Sequence, residues 1–557
     1  MLNNIQESVL ETDVVVVGGG IAGCCAAAKA AESGLKVIMI EKSKSDRSGS
    51  SGQGIDHYSG FFPAGTTPQQ FLDIWKNMGP GAFFGGADFI NFSRLYRTIV
   101  NRRWASDELE RFGVPMKWEH GDYEVADIYY HGGWTTLRVH WYNVKPILAK
   151  AVRDRGVKVL ERTMAVDLLT NNNKVTGITA LNTRTGEFSV IKAKATVLGT
   201  AAFSRCFNPE TPQPWKYKYR YHWCPASVSG DGWAMTYRAG GEIGNMEQTE
   251  RGYRFRDDLT MSYGNVRGDG IEAARLTWDG TETRRAGAEL ERQGKDPFYY
   301  SLTRIPDDFQ KRIEVAFADE RLVSFKIAQD RGFNPRTHHY EMMENRPNQL
   351  NTPPGITADV HFQSTLSGLY AVGDCLSGTH NVAAAAVSGL IVGKELYDTV
   401  KKTSSPVVKQ AKIEEQKQTV YSPMSVKDGT NYVELECAIR YAVDRYISSY
   451  KGEGKLREGI RRVGSLKREF LPKLSAENPH ELMRCLEVRN IIEMTELHFQ
   501  ASLDRKESRG NFTRLDYPNQ DAKYDGLLLN QTLVNGKSVI EWKKAEPMDM
   551  SLREESK

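Results

Sequence analysis

Four consecutive valines, Val14–Val17, form the first strongly apolar run of the chain. An unbroken run of this kind suits a parallel strand buried on both faces, and it predicts a strand over Asp13–Val17. Gly18, Gly19 and Gly20 break the run. The Ala-rich stretch after them predicts a helix from Ile21 to about Ser33, closed by Gly34. A second apolar run, Leu35–Ile40, ends on Glu41. Strand, glycine turn, helix and strand in this order begin a βαβ unit.

The pattern then changes along the chain. A helix is predicted from Val144 to about Arg155. Residues 157–200 read as strands broken by Asn-Asn-Asn-Lys and Thr-Arg-Thr-Gly-Glu turns, which predicts a small antiparallel sheet. Residues 252–354 are polar and Arg-rich with little alternation, as expected of a separate lid or cap. Strand-like patterning returns in VHFQSTLSGLYAVGDC, followed by an Ala-rich helix over Asn381–Leu396, which is too short to span a bilayer. Residues 432–503 carry helical periodicity. Lys402–Gln418 reads as a linker, and the chain beyond Lys523 as an extended tail. These boundaries predict segments at 1–250, 251–354, 355–405, 406–520 and 521–557.

Composition narrows the function classes. Of 557 residues, 74 are basic and 70 acidic, a net charge of +4 that argues against a nucleic-acid or anionic-membrane partner. The start, MLNNIQESVLETD, has no basic or apolar signal region, so a cytoplasmic protein that is not integral to a membrane is expected. The 7 cysteines show no CxxC, haem-attachment or metal-finger spacing, which predicts reduced thiols and no metal or cluster on this chain. Cys24 and Cys25 read as small core residues rather than a redox pair. No zinc motif and no hydrolase nucleophile elbow is present.

The chemistry begins at Gly18-x-Gly20-x-x-Gly23. Gly18 permits a tight turn, Gly20 lets the backbone approach a pyrophosphate at the helix N-terminus, and Gly23 lets helix and strand pack closely. Glu41, at the end of the second strand, suits the adenosine ribose hydroxyls. In this strand–turn–helix context the motif predicts a bound dinucleotide. The segment Ser367–Cys375, SGLYAVGDC, resembles one carried by flavoproteins of the succinate dehydrogenase and fumarate reductase group. There the acid corresponding to Asp374 meets the flavin nucleotide, which implies FAD rather than NAD. The helix beginning near Ala385 would then aim its N-terminus at the flavin ring.

The resemblance extends along most of the chain, through EKSKSDRSGSSGQG, SGDGWAMTYRAGGEIGNMEQ, VRGDG and LDRKESRGNFTRLDYPNQD. It implies an α/β fold: a Rossmann-type FAD-binding domain (a parallel sheet with an inserted antiparallel sheet), an α+β capping domain and a C-terminal helical domain. Departures are equally informative. The comparable stretch Arg47-Ser48-Gly49-Ser50-Ser51 lacks the family's flavin-linking histidine, so FAD is expected to be non-covalent. His380 stands where the family has a carboxylate-clamping arginine, which makes succinate or fumarate a poor fit. The stretch from Arg47-Ser48-Gly49 through Gln53-Gly54 resembles the adenylylsulfate reductase α subunit, as do Trp223 and Arg254, matched to a substrate-facing tryptophan and an active-site arginine. His380 aligns with that branch's active-site histidine, whereas Ser59 falls near the place of its flavin-side asparagine. Arg267 matches a proton-delivering arginine of fumarate reductases. Ser388 is counted with the flavin-side residues.

Each assignment has a structural rival: a surface arginine for Arg254, an ion pair with Asp269 for Arg267, a core histidine for His380 and a core tryptophan for Trp223. The run Trp215–Trp223 alternates aromatics with bases, which suits an anionic or aromatic substrate, an acidic electron-transfer partner, or a strand covered by its own domain. The leading reading is the catalytic subunit of a FAD-dependent oxidoreductase that works on a small anionic or polar substrate. The resemblance implies that its electron partner is a separate ferredoxin-like iron–sulfur subunit. The rivals are a self-sufficient dehydrogenase or ene-reductase acting on an activated C=C bond, and a non-catalytic electron-relay subunit.

Overall fold

The computed structural model describes residues 5–55, 57–59, 63–77, 91–126, 136–207, 225–252, 274–283, 354–378, 381–447, 450–510 and 512–555, with short pieces between 290 and 348. Its centre is a seven-stranded sheet. β1 (Glu7–Val17) lies between β2 (Val37–Glu41) and β9 (Phe188–Leu198), and β6 (Lys158–Glu161) continues the sheet beyond β2, all in parallel. β18 (Leu369–Ala371), from far along the chain, pairs in parallel with Thr196–Leu198 of β9. The first half of β9 pairs antiparallel with β8 (Lys174–Asn182), which pairs with β7 (Thr163–Asn171). The expected antiparallel insert is therefore continuous with the parallel sheet, because β9 is long enough to belong to both. Asn172 and Asn173 carry φ of 49° and 58° in the β7–β8 turn, a left-handed geometry that asparagine tolerates.

β1 starts six residues earlier than the valine pattern indicates. Its first half alternates between exposed and half-buried positions and pairs with Phe188–Ala193, where β2 no longer covers it. That half carries no continuous apolar signal.

α1 (Ile21–Glu32) crosses the sheet, flanked by α5 (Val144–Asp154) and by α7 (Val382–Lys401). A Cβ added at Gly389 of α7 would lie 2.2 Å from the Ala22 carbonyl oxygen, and one at Gly393 would lie 2.6 Å from that of Ala26. The two helices thus meet backbone to backbone and run parallel. Both positive N-terminal ends open at the carboxyl end of the sheet, where open α/β sheets bind ligands. α2 (Pro68–Asn77) precedes α3 (Phe92–Val100) and α4 (Arg102–Arg111), both of which pack on α7.

Smaller sheets surround this core. β3 (His57–Ser59), β5 (Thr136–Arg138) and β4 (Glu124–Ala126) form one. In the region expected as a cap, β11 (Glu250–Gly252) pairs with β16 (Arg346–Asn348). There β13 (Glu282–Thr283), β12 (Ala274–Leu276), β14 (Tyr299–Ser301) and β15 (His339–Glu341) form a four-stranded sheet. After α6 (Asp231–Arg238), α8 (Gln410–Tyr421) and then α9 (Tyr432–Tyr446), α10 (Glu453–Glu469) and α11 (Pro479–Asp504) build the C-terminal helical region.

Two expectations need correction. Half of the supposed linker Lys402–Gln418 is helix α8. Its polar sequence hides an anchor: buried Gln416 donates to the Leu168 carbonyl at 2.9 Å and accepts from Thr179 at 2.7 Å. The supposed tail contains a hairpin, β19 (Leu527–Val534) and β20 (Lys537–Lys544), which joins β10 (Ile243–Gly244) and β17 (Gly355–Ile356) in a second sheet. Its partner strands lie hundreds of residues away, so local sequence cannot announce the pairing. Beyond the hairpin the chain returns to α3 and α7, where Arg97 and Lys394 each reach Glu555 at 2.9 Å. Among the described residues, no helix is long and apolar enough to cross a membrane.

Candidate functional site

The turn after β1 is built by close approach. Gly18 has φ of 97°, which disfavours any side chain, and its N–H donates to the Ile40 carbonyl at 2.9 Å. A Cβ at Gly23 would fall 1.9 Å from the Gly18 carbonyl oxygen, so only glycine lets α1 settle on the strand. Gly20, the N-cap of α1, is different: a Cβ there would meet nothing within 4 Å. That open volume lies against the N-terminus of a twelve-residue helix, where backbone N–H groups and the helix dipole suit an anion.

Glu41 ends β2 beside this turn and is 7% exposed. Its carboxylate accepts from the Gly19 N–H and the Ser43 N–H, each at 2.7 Å. Ser48 donates to the Gly19 carbonyl at 3.0 Å. Gln53 closes the short helical turn Ser50–Gln53, and Gly54 follows it with φ of 108°. A residue that sequence reasoning missed also reaches the turn: buried Lys145 of α5 donates to the same Gly19 carbonyl. Its 126-residue separation from that oxygen left no local signal.

The second half of the cradle comes from the turn Gly373–Cys375, immediately after β18. A Cβ at Gly373 would lie 2.9 Å from that of Ala22, which sets this turn against the first turn of α1. Gly373 and Cys375 are buried, whereas Asp374 between them stays partly exposed. Enough of it is enclosed that desolvation pushes its carboxyl up to about 6. Burial pushes the Cys375 thiol up to about 11, so it is no nucleophile. Ser388 does not simply line the cradle. It accepts from the Gly373 N–H at 2.9 Å and donates to the Ala384 carbonyl at 2.7 Å, bracing the turn that carries Asp374. α7 begins at Val382, within the predicted Asn381–Leu396 stretch and three residues before Ala385, because Asn381 caps it by accepting from the Ala384 N–H at 2.8 Å. Buried Arg94 of α3, another residue the sequence did not single out, donates to the Ala358 and Ser377 carbonyls near this cap. Burial pushes its guanidinium down to about 10.

Behind Glu41 a buried ionic network ties the cradle to the helical region. Lys42 meets Asp231 at 2.7 Å and Glu487 at 2.6 Å. Burial works against its charge, but these two carboxylates outweigh it and hold Lys42 above the usual lysine range. Arg205 joins Glu487 at 2.8 Å and Glu436 at 2.7 Å. Lys42, directly after β2, and residues of α6, α9 and α11 are thereby locked together.

Gly18, Gly20, Gly23, Glu41, Ser48, Gly373 and Asp374 converge on one end of the sheet. The open space at Gly20 and the buried carboxylate of Glu41 fit a dinucleotide, and the turn that carries Asp374 closes on the same helix end. Trp223, Arg254, Arg267 and His380, with the aromatic–basic run Trp215–Trp223, lie outside the described residues. Among the described residues, no cluster of histidine, cysteine and acidic side chains could hold a metal.

Comparisons with known proteins agree with this geometry. Residues 13–250 match the FAD binding domain family. Residues 438–556 match the fumarate reductase flavoprotein C-terminal family. An uncharacterized FAD-dependent oxidoreductase of Methanocaldococcus jannaschii is 22% identical, over 93% of this chain and 96% of its own length. One subunit of the fumarate reductase (CoM/CoB) from Methanothermobacter marburgensis is 23% identical, over 95% of this chain and 99% of its own. The structure of adenylylsulfate reductase from Archaeoglobus fulgidus superposes with a TM-score of 0.84 at 21% identity, covering 98% of both chains. An FAD binding domain at one end, a fumarate reductase flavoprotein region at the other and the cradle between β1, β2 and β18 identify the chain as a member of the succinate dehydrogenase/fumarate reductase flavoprotein superfamily.

Proposed function

We propose that this FAD-dependent oxidoreductase is the catalytic subunit of a reductase or dehydrogenase that exchanges an electron pair with a small anionic or polar substrate. The observation that carries this reading is the cradle: an open helix N-terminus at Gly20, with Glu41 bonded to the neighbouring Gly19 and the turn that carries Asp374 set against the first turn of α1. When bound, FAD supplies hydride or electron-pair exchange at its ring. The chain's own residues bind and orient it. In this reading Glu41 takes the ribose hydroxyls, the Gly20 turn the pyrophosphate, and Asp374 the flavin nucleotide half. Arg254 would clamp the substrate anion, Trp223 would stack on the substrate or the flavin, and Arg267 or His380 would hold the proton that accompanies the electrons. Because residues 47–51 contain no histidine, FAD is held without a covalent bond in this reading. An iron–sulfur protein is the electron partner.

The test is anaerobic stopped-flow spectroscopy of the holoprotein. AMP with sulfite is offered to the oxidised form, and fumarate and a panel of enoates to the dithionite-reduced form. Rapid turnover with one class, lost by at least about 100-fold in kcat/KM on Arg254→Ala, is the expected result. Slow reaction with every class would overturn the catalytic reading in favour of electron relay.

A further inference from the structure

Lys145 is a charge with no counter-charge among the described residues. It sits in the first turn of α5 and is 0% exposed. Its ammonium donates to the Gly19 carbonyl and lies 3.5 Å from Cys24 Sγ. Among the described residues, no carboxylate stands within ion-pair distance of it. Glu41 reaches the same glycine, but at the N–H. A buried ammonium without an anion is unfavourable, so a fold that keeps one has a use for the charge.

The geometry around it is specific. Three donors converge on the Gly19 carbonyl oxygen: Lys145 Nζ, Ser48 Oγ at 3.0 Å and Cys24 Sγ at 3.3 Å. In a trans peptide the Gly19 carbonyl and the Gly20 N–H point in opposite directions. Pinning the carbonyl inward therefore turns the Gly20 N–H away from these donors, on the residue whose side is open space. Donors on a carbonyl also polarise the N–H of the same peptide and strengthen it as a donor.

We propose that Lys145 is a positioning residue for the dinucleotide pyrophosphate. It holds the Gly19–Gly20 peptide with its N–H toward the phosphate, and its enclosed positive charge is neutralised when the ligand binds. The inference rests on the FAD reading of the cradle.

The experiment uses the full chain freed of FAD, as wild type, Lys145→Met, Lys145→Gln and Ser48→Ala. Each is titrated with FAD, with ADP (a pyrophosphate without flavin) and with riboflavin (flavin without pyrophosphate). Lys145→Met is expected to weaken FAD and ADP by about 10- to 100-fold and to leave riboflavin unchanged. Lys145→Gln, which keeps a donor, should fall between it and the wild type. Ser48→Ala, which keeps the charge, should lose only about 2- to 5-fold. The melting temperature of the Lys145→Met apoprotein should match or exceed that of the wild type, because an unpaired buried charge has gone. Unchanged FAD affinity, an equal loss for riboflavin, or failure of both Lys145 variants to fold would overturn the proposal. A wild-type protein that binds no FAD would instead overturn the reading on which it rests.

Discussion

At the scale of single residues, glycines in one motif do unlike work. Gly23 is required by contact: a Cβ there would sit 1.9 Å from a backbone oxygen. Gly23→Ala should therefore lower stability by about 3 kcal/mol or more and yield little soluble protein. Gly20 has φ of −67°, which any residue adopts, and open space around it. Gly20→Ala should leave the apoprotein within about 1 kcal/mol of wild type by denaturation, yet weaken FAD by at least about tenfold in a fluorescence titration. Equal effects from the two changes would refute this division. Asp374 adds a pH dependence. Its folded pKa, about 6, is raised above the ordinary value of 3.8, so in the apoprotein it contributes stability below 3.8 that is lost as pH rises through 6. Binding runs the other way if the carboxylate accepts flavin-nucleotide hydroxyls. FAD affinity should be full above about 6 and decline as pH falls through it, and Asp374→Asn should flatten that profile. A wild-type affinity independent of pH between about 5 and 7 (the range about this pKa) would contradict it.

At the scale of elements, the cradle depends on helices that never touch the dinucleotide turn. Glu487 of α11, with 2% of its side chain exposed, receives both Lys42 and Arg205. Neutralising it takes one of two carboxylates from each of these cations, leaving Lys42 with Asp231 and Arg205 with Glu436, and breaking a buried pair costs up to about 3–5 kcal/mol. Glu487→Gln should lower the apparent melting temperature by several degrees at a fixed scan rate, whereas Arg457→Ala, which breaks an exposed pair with Glu453, should shift it little. Little change in Glu487→Gln would mean that the network does not hold α11 to the cradle. None of these pairings was legible beforehand, since Lys42 and Glu487 are 445 positions apart. The elements themselves were legible where one periodicity ran unbroken, as in Val14–Val17. They were missed where polar residues carry the contact, as Gln416 does in α8.

At the scale of the whole molecule, the chain doubles back repeatedly to complete the site. β18 joins the sheet beside β9 after an excursion through residues 199–368, and this brings the Gly373–Cys375 turn to the first turn of α1. The C-terminal segment returns to α3 and α7 through Glu555. The return of the chain to the parallel sheet at β18 could be anticipated, because strand-like patterning resumes in SGLYAVGDC. The docking of the final hairpin on β10 could not, because register across sheets depends on partners remote in sequence.

The sequence by itself determined the local events: the valine strand, the glycine turn, the helix that follows it and the acid that closes the second strand. Each needs only its neighbours, through steric limits on the backbone and the period of apolar burial. Only the tertiary structure decided which charges would be buried together, that Ser388 braces a turn, that Lys145 lies against the glycine turn, and that the Gly373–Cys375 turn packs on the first turn of α1. Those outcomes follow from long-range packing, which sets the distances on which desolvation and charge pairing depend.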